Sequence, residues 1–338
     1  MSGAGGNPIV ERSNAVGQAE ETPTISVVIP IFNEEETLET LYARIRPVLE
    51  QTGESWEVIF VNDGSSDRSE QMLREFHRRD TRFKAISFSR NFGHQTALTC
   101  GLDHATGRAV IAMDGDLQDP PEVLPALIAR WREGYEVVYA VRQKRKEGVV
   151  KRAAYKTFYW ILHHVSYLDI PLDTGDFSLV DRRVLEVLDA MPERNRFVRG
   201  LRTWAGFRQI GYEYARDARF AGHSKYSFGK LLKLAFDGLV SYSYVPLRLV
   251  SNIGLLVSAS TLGYMGYLLL ARLFGDVTIK GWTSTVVIVL FLGGIQLLSL
   301  GVIGEYVGRI FEEVKQRPHY IVRDRIGLPA AGAVARRP

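Results

Sequence analysis

Two uncharged stretches near the C-terminal end limit this chain more than any other feature. Between Arg248 and Arg272 stand 23 residues without a formal charge, LVSNIGLLVSASTLGYMGYLLLA. Between Lys280 and Glu305 stand 24 more, GWTSTVVIVLFLGGIQLLSLGVIG. A helix rises about 1.5 Å per residue, so each run is long enough for a hydrocarbon core about 30 Å thick. The other reading is a pair of buried helices in a large soluble core. It is the weaker one, because cores seldom hold two uncharged runs above roughly 18 residues. Gly254, Ser258, Gly293, Gly294 and Gly301 would let such helices approach closely. The expected spans are 247–273 and 282–304.

Basic residues then set the orientation. Six Lys or Arg fall within 214–248 and five within 305–325, whereas the connecting loop holds only Arg272 and Lys280. The positive-inside rule places both termini in the cytoplasm and the short loop outside, as for a protein of a bacterial inner membrane. Residues 226–246 mix Leu231, Leu232, Leu234, Leu239 and Val240 with Lys230 and Lys233. That pattern reads as an amphipathic interfacial helix, or more simply as a surface helix of the domain before it. Residues 1–23 lack the apolar segment of a secretory signal and read as a disordered tail; residues 305–338 form a cytoplasmic C-terminal segment. One cysteine, Cys100, excludes an internal disulfide framework and a Cys-rich zinc site. A net charge of +4 argues against nucleic acid as a partner.

The domain over 24–225 alternates in type. Strand-like runs at Ile25–Ile29, Trp56–Val61, Phe83–Phe88, Ala109–Met113 and Glu136–Val141 are separated by helical patterns at Glu34–Glu50, Asp67–Asp80, His94–Ala105 and Glu122–Glu133. This predicts an α/β fold with a mostly parallel, Rossmann-like sheet covered on both faces. Ligands of such sheets bind beyond the carboxyl ends of the strands. The first of those loops, Pro30-Ile31-Phe32-Asn33-Glu34, has no GxGxxG turn, and no GxxxxGK[ST] occurs anywhere. A dinucleotide-binding Rossmann domain and a P-loop NTPase are therefore excluded. After the second strand comes Asn62-Asp63-Gly64-Ser65-Ser66-Asp67, with Asp67 placed to cap the next helix. After the fourth comes Asp114-Gly115-Asp116-Leu117-Gln118-Asp119. Alone, Asp-Gly-Asp is a common surface turn, and Asp119 occupies the position an EF-hand reserves for Gly. At a strand end, two carboxylates with Gln118 nearby offer hard oxygen ligands for Mg²⁺ or Mn²⁺ carrying a diphosphate.

Five ordered blocks, SVVIPIFNEEETL at 26–38, VNDGSSD at 61–67, RNFGHQTAL at 90–98, MDGDLQDPPE at 113–122 and RFAGHSKYS at 219–227, resemble the family-2 glycosyltransferases of the GT-A fold. More narrowly the chain is similar to the polyprenyl-phosphate glycosyltransferases of the GtrB and dolichol-phosphate mannose synthase type, from about Thr24 to about Val322. It lacks the Gln-x-x-Arg-Trp motif of processive synthases, which favours transfer of a single sugar.

The resemblance implies that Pro30, Phe32, Asn33, Glu34, Asp63, His94, Asp114, Gly115 and Asp116 contact the nucleotide sugar, with Asp63 accepting from a base N–H. It implies that Asp114, Asp116 and Gln118 hold the metal. Arg142, Arg152, Arg219, Ser224 and Lys225 would take the acceptor phosphate, and Asp116, Arg142, Arg152, Asp176, Arg219 and Lys225 form the catalytic set. Each has a plainer reading. Asn33 and Glu34 suit a helix cap and first-turn acid, and Asp63 a turn. Arg142 could belong to a solvated basic loop, His94 could merely begin a helix, and Asp176 could cap a turn.

The implied reaction is inverting transfer of one hexose from a nucleotide sugar, UDP-glucose favoured, to undecaprenyl or dolichyl phosphate. GDP-mannose, UDP-N-acetylhexosamine and UDP-4-formamido-arabinose stay open as donors, and so does a homo-oligomer. A phosphate acceptor is already largely ionised at neutral pH, so the site needs cations rather than a strong base. A lipid-hydroxyl acceptor would need a base, for which Asp176 is the candidate. A non-catalytic membrane scaffold would have no use for these side chains.

Overall fold

The structure is a computed structural model; it describes residues 22–142, 174–191, 193, 196, 198–215, 245–274 and 281–329. β1 (Ile25–Ile31) reads ISVVIPI and is buried along its whole length. A continuous apolar strand suits a position covered on both faces. β1 lies between two parallel partners, β2 (Trp56–Asn62) and β4 (Ala109–Ala112). Alternation sorts its side chains between two cores. Val27, Ile29 and Ile31 pack with Leu41 and Ile45 of α1 (Leu38–Gln51), Phe76 of α2 (Ser69–Arg79) and Leu127 of α4 (Leu124–Arg132). Val28 packs on the opposite face with Ala97 and Leu98 of α3 (His94–His104).

The sheet has eight strands among the described residues, in the order β7 (Gln209–Tyr214), β5 (Val137–Arg142), β6 (Thr174–Asp181), β4, β1, β2, β3 (Phe83–Phe88), β8 (Val322–Ile326). β6 runs antiparallel to both β4 and β5, and β8 runs antiparallel to β3. The other pairings are parallel, so the sheet is mixed where a mostly parallel one was expected. Asp176, for which a turn cap was the plainer reading, instead lies within β6, which opens at Thr174.

Helix starts also differ from the sequence pattern, for local reasons. The Thr37 hydroxyl donates to the Glu34 carbonyl and carboxylate, closing a turn that delays α1 to Leu38. Asp67 caps from just outside α2, its Oδ1 accepting the Ser69 N–H at 3.0 Å. Pro121–Val123 forms a 3₁₀ turn, so α4 begins at Leu124. Beyond β6 come α5 (Arg182–Asp189) and α6 (Val198–Trp204).

Both uncharged runs lie in long helices, α7 (Val245–Phe274) and α8 (Trp282–Val314). Among the described residues one stretch, Phe291–Val314, has the length and apolarity to cross a membrane, and none of its apolar window is buried within the chain. After α8 the chain returns to the sheet. The Tyr320 ring stacks on Phe88 at 5.1 Å, its hydroxyl donates to Asp103 at 3.0 Å, and β8 then extends the edge beside β3. The interfacial helix expected over 226–246 lies, up to residue 244, outside the described residues.

Candidate active site

The carboxyl ends of β1, β2, β4, β5 and β7 meet the amino end of β6 at one edge of the sheet. Two loops there are stitched together. Asn33 adopts a left-handed backbone, φ +56°, which asparagine tolerates better than most residues. Its N–H donates to Ser65 Oγ at 2.9 Å and its Oδ1 accepts the Ser66 N–H at 2.9 Å. The Glu34 N–H donates to Ser69 Oγ, and the Glu35 N–H to Asp67 Oδ2. Asn33 and Glu34 thus stand ahead of α1 and bind the second loop rather than cap the helix. Phe32 beside them is half exposed, while Pro30 is buried in β1.

Asp63 organises a third loop. Its Oδ1 accepts the Phe92 N–H at 2.6 Å and its Oδ2 accepts the Gly93 N–H at 2.9 Å. Burial lifts this carboxyl above its usual value despite those donors. Each oxygen already holds a backbone N–H, so contact with a base would use a second lone pair.

The acidic turn follows β4. Gly115 packs this turn closely against β1: a Cβ there would come within 2.6 Å of Ile31 Cδ1, so a larger residue would make the end of that side chain shift. The Gly115 carbonyl lies 3.2 Å from the Thr37 hydroxyl, which shares its one proton among this oxygen and those of Glu34. Asp116 Oδ1 accepts the Gln118 N–H at 3.1 Å across Leu117, which has φ +60°. Asp116 is half-buried and Gln118 is buried.

Antiparallel register explains what lies opposite. Ala112 pairs with Ser178, and two residues further on Asp114 faces Asp176. His94 stands between them, its Nε2 at 3.4 Å from both Asp114 Oδ1 and Asp176 Oδ2. Asp176 Oδ2 also accepts from Gln95 Nε2 at 2.7 Å, and its Oδ1 accepts from Arg199 Nε at 2.9 Å. Burial would raise the Asp176 carboxyl, but His94 and Arg199 outweigh it and hold the group well below the usual range. Burial also works against the His94 imidazolium, yet Asp176 and Asp114 outweigh it and raise its pKa. Burial pushes Asp114 up to about 6; His94 opposes the rise, while Asp119, Asp176 and Asp116 add to it.

Arg142 ends β5 and lies over β6, where a Cβ on Gly175 would sit 2.7 Å from its Nη2. Burial disfavours its charge, but a hydrogen bond with Tyr214 and the nearby Asp119 and Asp114 carboxylates outweigh that and raise its pKa. The Tyr214 hydroxyl donates to the buried Asp119.

The fold therefore brings together Asp114, His94, Asp176 and Arg142, four residues expected from sequence. Arg152, Arg219, Ser224 and Lys225 lie outside the described residues. Gln95, Arg199, Asp119 and Tyr214 belong to the site and were not expected. Asp119 and Gln95 stand inside motifs already singled out. Arg199 and Tyr214 carry no local signal, because their partners are distant in the chain.

Among the described residues no three His, Cys, Asp or Glu side chains form a metal cage by themselves. Mg²⁺ or Mn²⁺ carrying phosphate needs only one or two protein carboxylates and fills its shell with phosphate oxygens and water. The crowded carboxylates at Asp114 and Asp116 fit that demand, since a cation would relieve the repulsion that helps to raise Asp114.

Comparison with known proteins gives matches over most of the chain. The profile of glycosyl transferase family 2 matches residues 26–189, and that of the GtrB C-terminal hairpin matches residues 245–310. The chain is 51% identical over 304 residues to the uncharacterized glycosyltransferase YkcC of Bacillus subtilis, covering 90% of this chain and 94% of that one. It is 42% identical over 300 residues to the bactoprenol glucosyl transferase of Shigella phage SfII, covering 88% and 97%. With a prophage bactoprenol glucosyl transferase homolog of Escherichia coli it shares 41% over 300 residues, covering 88% and 98%.

Proposed function

This chain belongs to the family-2 glycosyltransferases that carry a GtrB C-terminal hairpin, and from that premise we propose that it transfers one hexose from a nucleotide sugar to polyprenyl phosphate at the cytoplasmic face of a membrane. The observation that carries the reading is the pairing at one sheet edge of an acidic turn, Asp114-Gly115-Asp116, with the Arg142 guanidinium. The first suits a cation bound to a diphosphate, the second a further phosphate.

Asp114 and Asp116, with Gln118, would hold Mg²⁺ or Mn²⁺, which offsets the charge that develops on the departing nucleoside diphosphate. Asn33, Glu34, Phe32 and the loop held by Asp63 form the wall that receives the nucleotide. Arg142 faces the acceptor phosphate, and Arg152, Arg219, Ser224 and Lys225 complete its binding. The acceptor, ionised at neutral pH, attacks directly, and a single displacement inverts the anomeric carbon. Asp176 takes no proton. Its oxygens accept from Gln95, His94 and Arg199, and its low pKa makes it a poor base. This disfavours a lipid-hydroxyl acceptor.

Chain parity supports a membrane hairpin. β8 lies in the same sheet as β1 to β4, so the segment between must return to the side it left. If α8 crosses through Phe291–Val314, α7 crosses as well, and both termini lie with the catalytic domain. The division into a catalytic domain over 24–225, an interfacial helix over 226–246, spans at 247–273 and 282–304 and a cytoplasmic C-terminal segment follows that scheme.

Glucose is favoured as the sugar because relatives 41–42% identical over most of the chain are named bactoprenol glucosyl transferases. The test is a donor screen with purified full-length protein, undecaprenyl phosphate and Mn²⁺, offering UDP-glucose, UDP-N-acetylglucosamine, UDP-4-formamido-arabinose and GDP-mannose. The expected result is lipid-linked glucose of inverted anomeric configuration. A retained anomer contradicts single displacement, and preference for another donor contradicts the choice of glucose.

A further inference from the structure

Asp176 is gripped by two elements remote from it in sequence. From α3, Gln95 Nε2 donates to Asp176 Oδ2 at 2.7 Å, while Gln95 Oε1 accepts the Val198 N–H at the start of α6 at 3.4 Å. From α6, Arg199 Nε donates to Asp176 Oδ1 at 2.9 Å and its Nη1 donates to the Thr174 carbonyl at 2.9 Å. Arg199 thus uses its fixed fork to hold both the side chain of Asp176 and the backbone two residues earlier. The result is a buried carboxylate whose Oδ2, besides accepting from Gln95, faces His94, with Asp114 on the other side of the same imidazole nitrogen.

Asp176 and Asp114 approach the same His94 nitrogen, so a carboxylate released from this grip could swing toward a cation held by Asp114, and a third one would overfill a site meant to share its cation with phosphate. We propose that Gln95 and Arg199 are positioning residues that hold Asp176 against His94 and so keep it out of the cation's ligand set, leaving coordination positions open to the diphosphate. This rests on the assignment of Asp114 and Asp116 as metal ligands. The grip also fixes His94, which keeps Asp114 Oδ1 turned toward the imidazole. Neither Gln95 nor Arg199 need touch substrate for this.

The claim has a sign that loss of structure lacks. Loosening the fold weakens metal binding, whereas releasing Asp176 tightens it. Gln95→Ala and Arg199→Lys leave the local charge unchanged, so a change in the electrostatic field does not produce the effect. The experiment measures Mn²⁺ affinity of the purified full-length protein by the EPR signal of free Mn²⁺, with no sugar or lipid present, together with the thermal midpoint and the steady-state parameters for UDP-glucose. Gln95→Ala and Arg199→Lys are expected to bind Mn²⁺ on the order of tenfold more tightly and to lose kcat by a similar factor. Adding Asp176→Asn to either variant should abolish the tightening, bringing affinity to that of Asp176→Asn alone. Unchanged or weaker Mn²⁺ binding in a Gln95→Ala protein with a wild-type thermal midpoint overturns the proposal. Tightening that survives Asp176→Asn overturns it too. Wild-type protein that binds no Mn²⁺ overturns instead the metal assignment on which it depends.

Discussion

Asp116 is the residue whose removal separates chemistry from folding most cleanly. It is half-buried on a turn, and its side chain accepts the Gln118 N–H within that turn. Asp116→Ala is expected to lower turnover at least about a hundredfold while moving the thermal midpoint little, because losing the proposed metal ligand removes charge stabilisation rather than core packing. Turnover within a few-fold of wild type would refute its role. Glu57, far from the site, governs stability against acid. Burial would raise its pKa, but Ser26, Thr106 and Lys84 outweigh it and hold the carboxyl below its ordinary value of 4.5. The sign follows from linkage: a carboxyl held low in the folded state adds stability above its unfolded value, lost as pH falls through the folded one. Denaturant midpoints measured from pH 6 downward should therefore fall below about pH 4.5, with a shallower fall in Glu57→Gln. An identical pH profile for both proteins would contradict this. At this scale the sequence showed Asp114 and Asp116, which share a short turn. Arg199 and Asp176 are 23 positions apart and meet only because α6 packs on β6, so no local pattern marks the pair.

Elements with one strong local pattern were legible, and those defined by pairing were not. The apolar run of β1 identifies itself as a strand covered on both faces. β6 opens on Thr174-Gly175-Asp176, residues that favour turns, and it is a strand because β4 and β5 bond it from both sides. β8, VRDRI, has the charged alternation of an edge strand and gives no hydrophobic signal. Its attachment is nonetheless extensive: Tyr320 covers Phe88 and bonds Asp103, Arg323 reaches Glu70, and Asp324 reaches Arg74. A chain ending at Gln316 is therefore expected to lose stability in the catalytic domain, although both family profiles end before that point. Tyr320→Phe, which keeps the ring and loses the bond to Asp103, should cost about 1 kcal/mol. A truncated protein that melts with the full chain would show that β8 is an ornament of the sheet.

For the whole molecule, the arrangement is a catalytic domain whose own sheet closes the ends of a helical hairpin. α7 and α8 expose large apolar side chains such as Leu255 at 71% and Leu297 at 72%, which suits a lipid environment rather than water. Cys100 is the chain's single cysteine and is buried, which simplifies a topology measurement. Thr278→Cys in the connecting loop should react with a membrane-impermeant maleimide added outside intact cells, while a cysteine in the N-terminal tail should not. Labelling of both, or of the tail alone, would contradict the hairpin. The central claim is that a cation held by Asp114 and Asp116 meets an anionic lipid headgroup steered by Arg142, so that no general base is required. Its most direct test compares undecaprenyl phosphate with undecaprenol as acceptor for UDP-glucose, with Mn²⁺ present or chelated. Glucose transfer to the phosphate alone, abolished by chelation, is the predicted result; equal transfer to the alcohol, or transfer that persists without a divalent cation, would contradict the account.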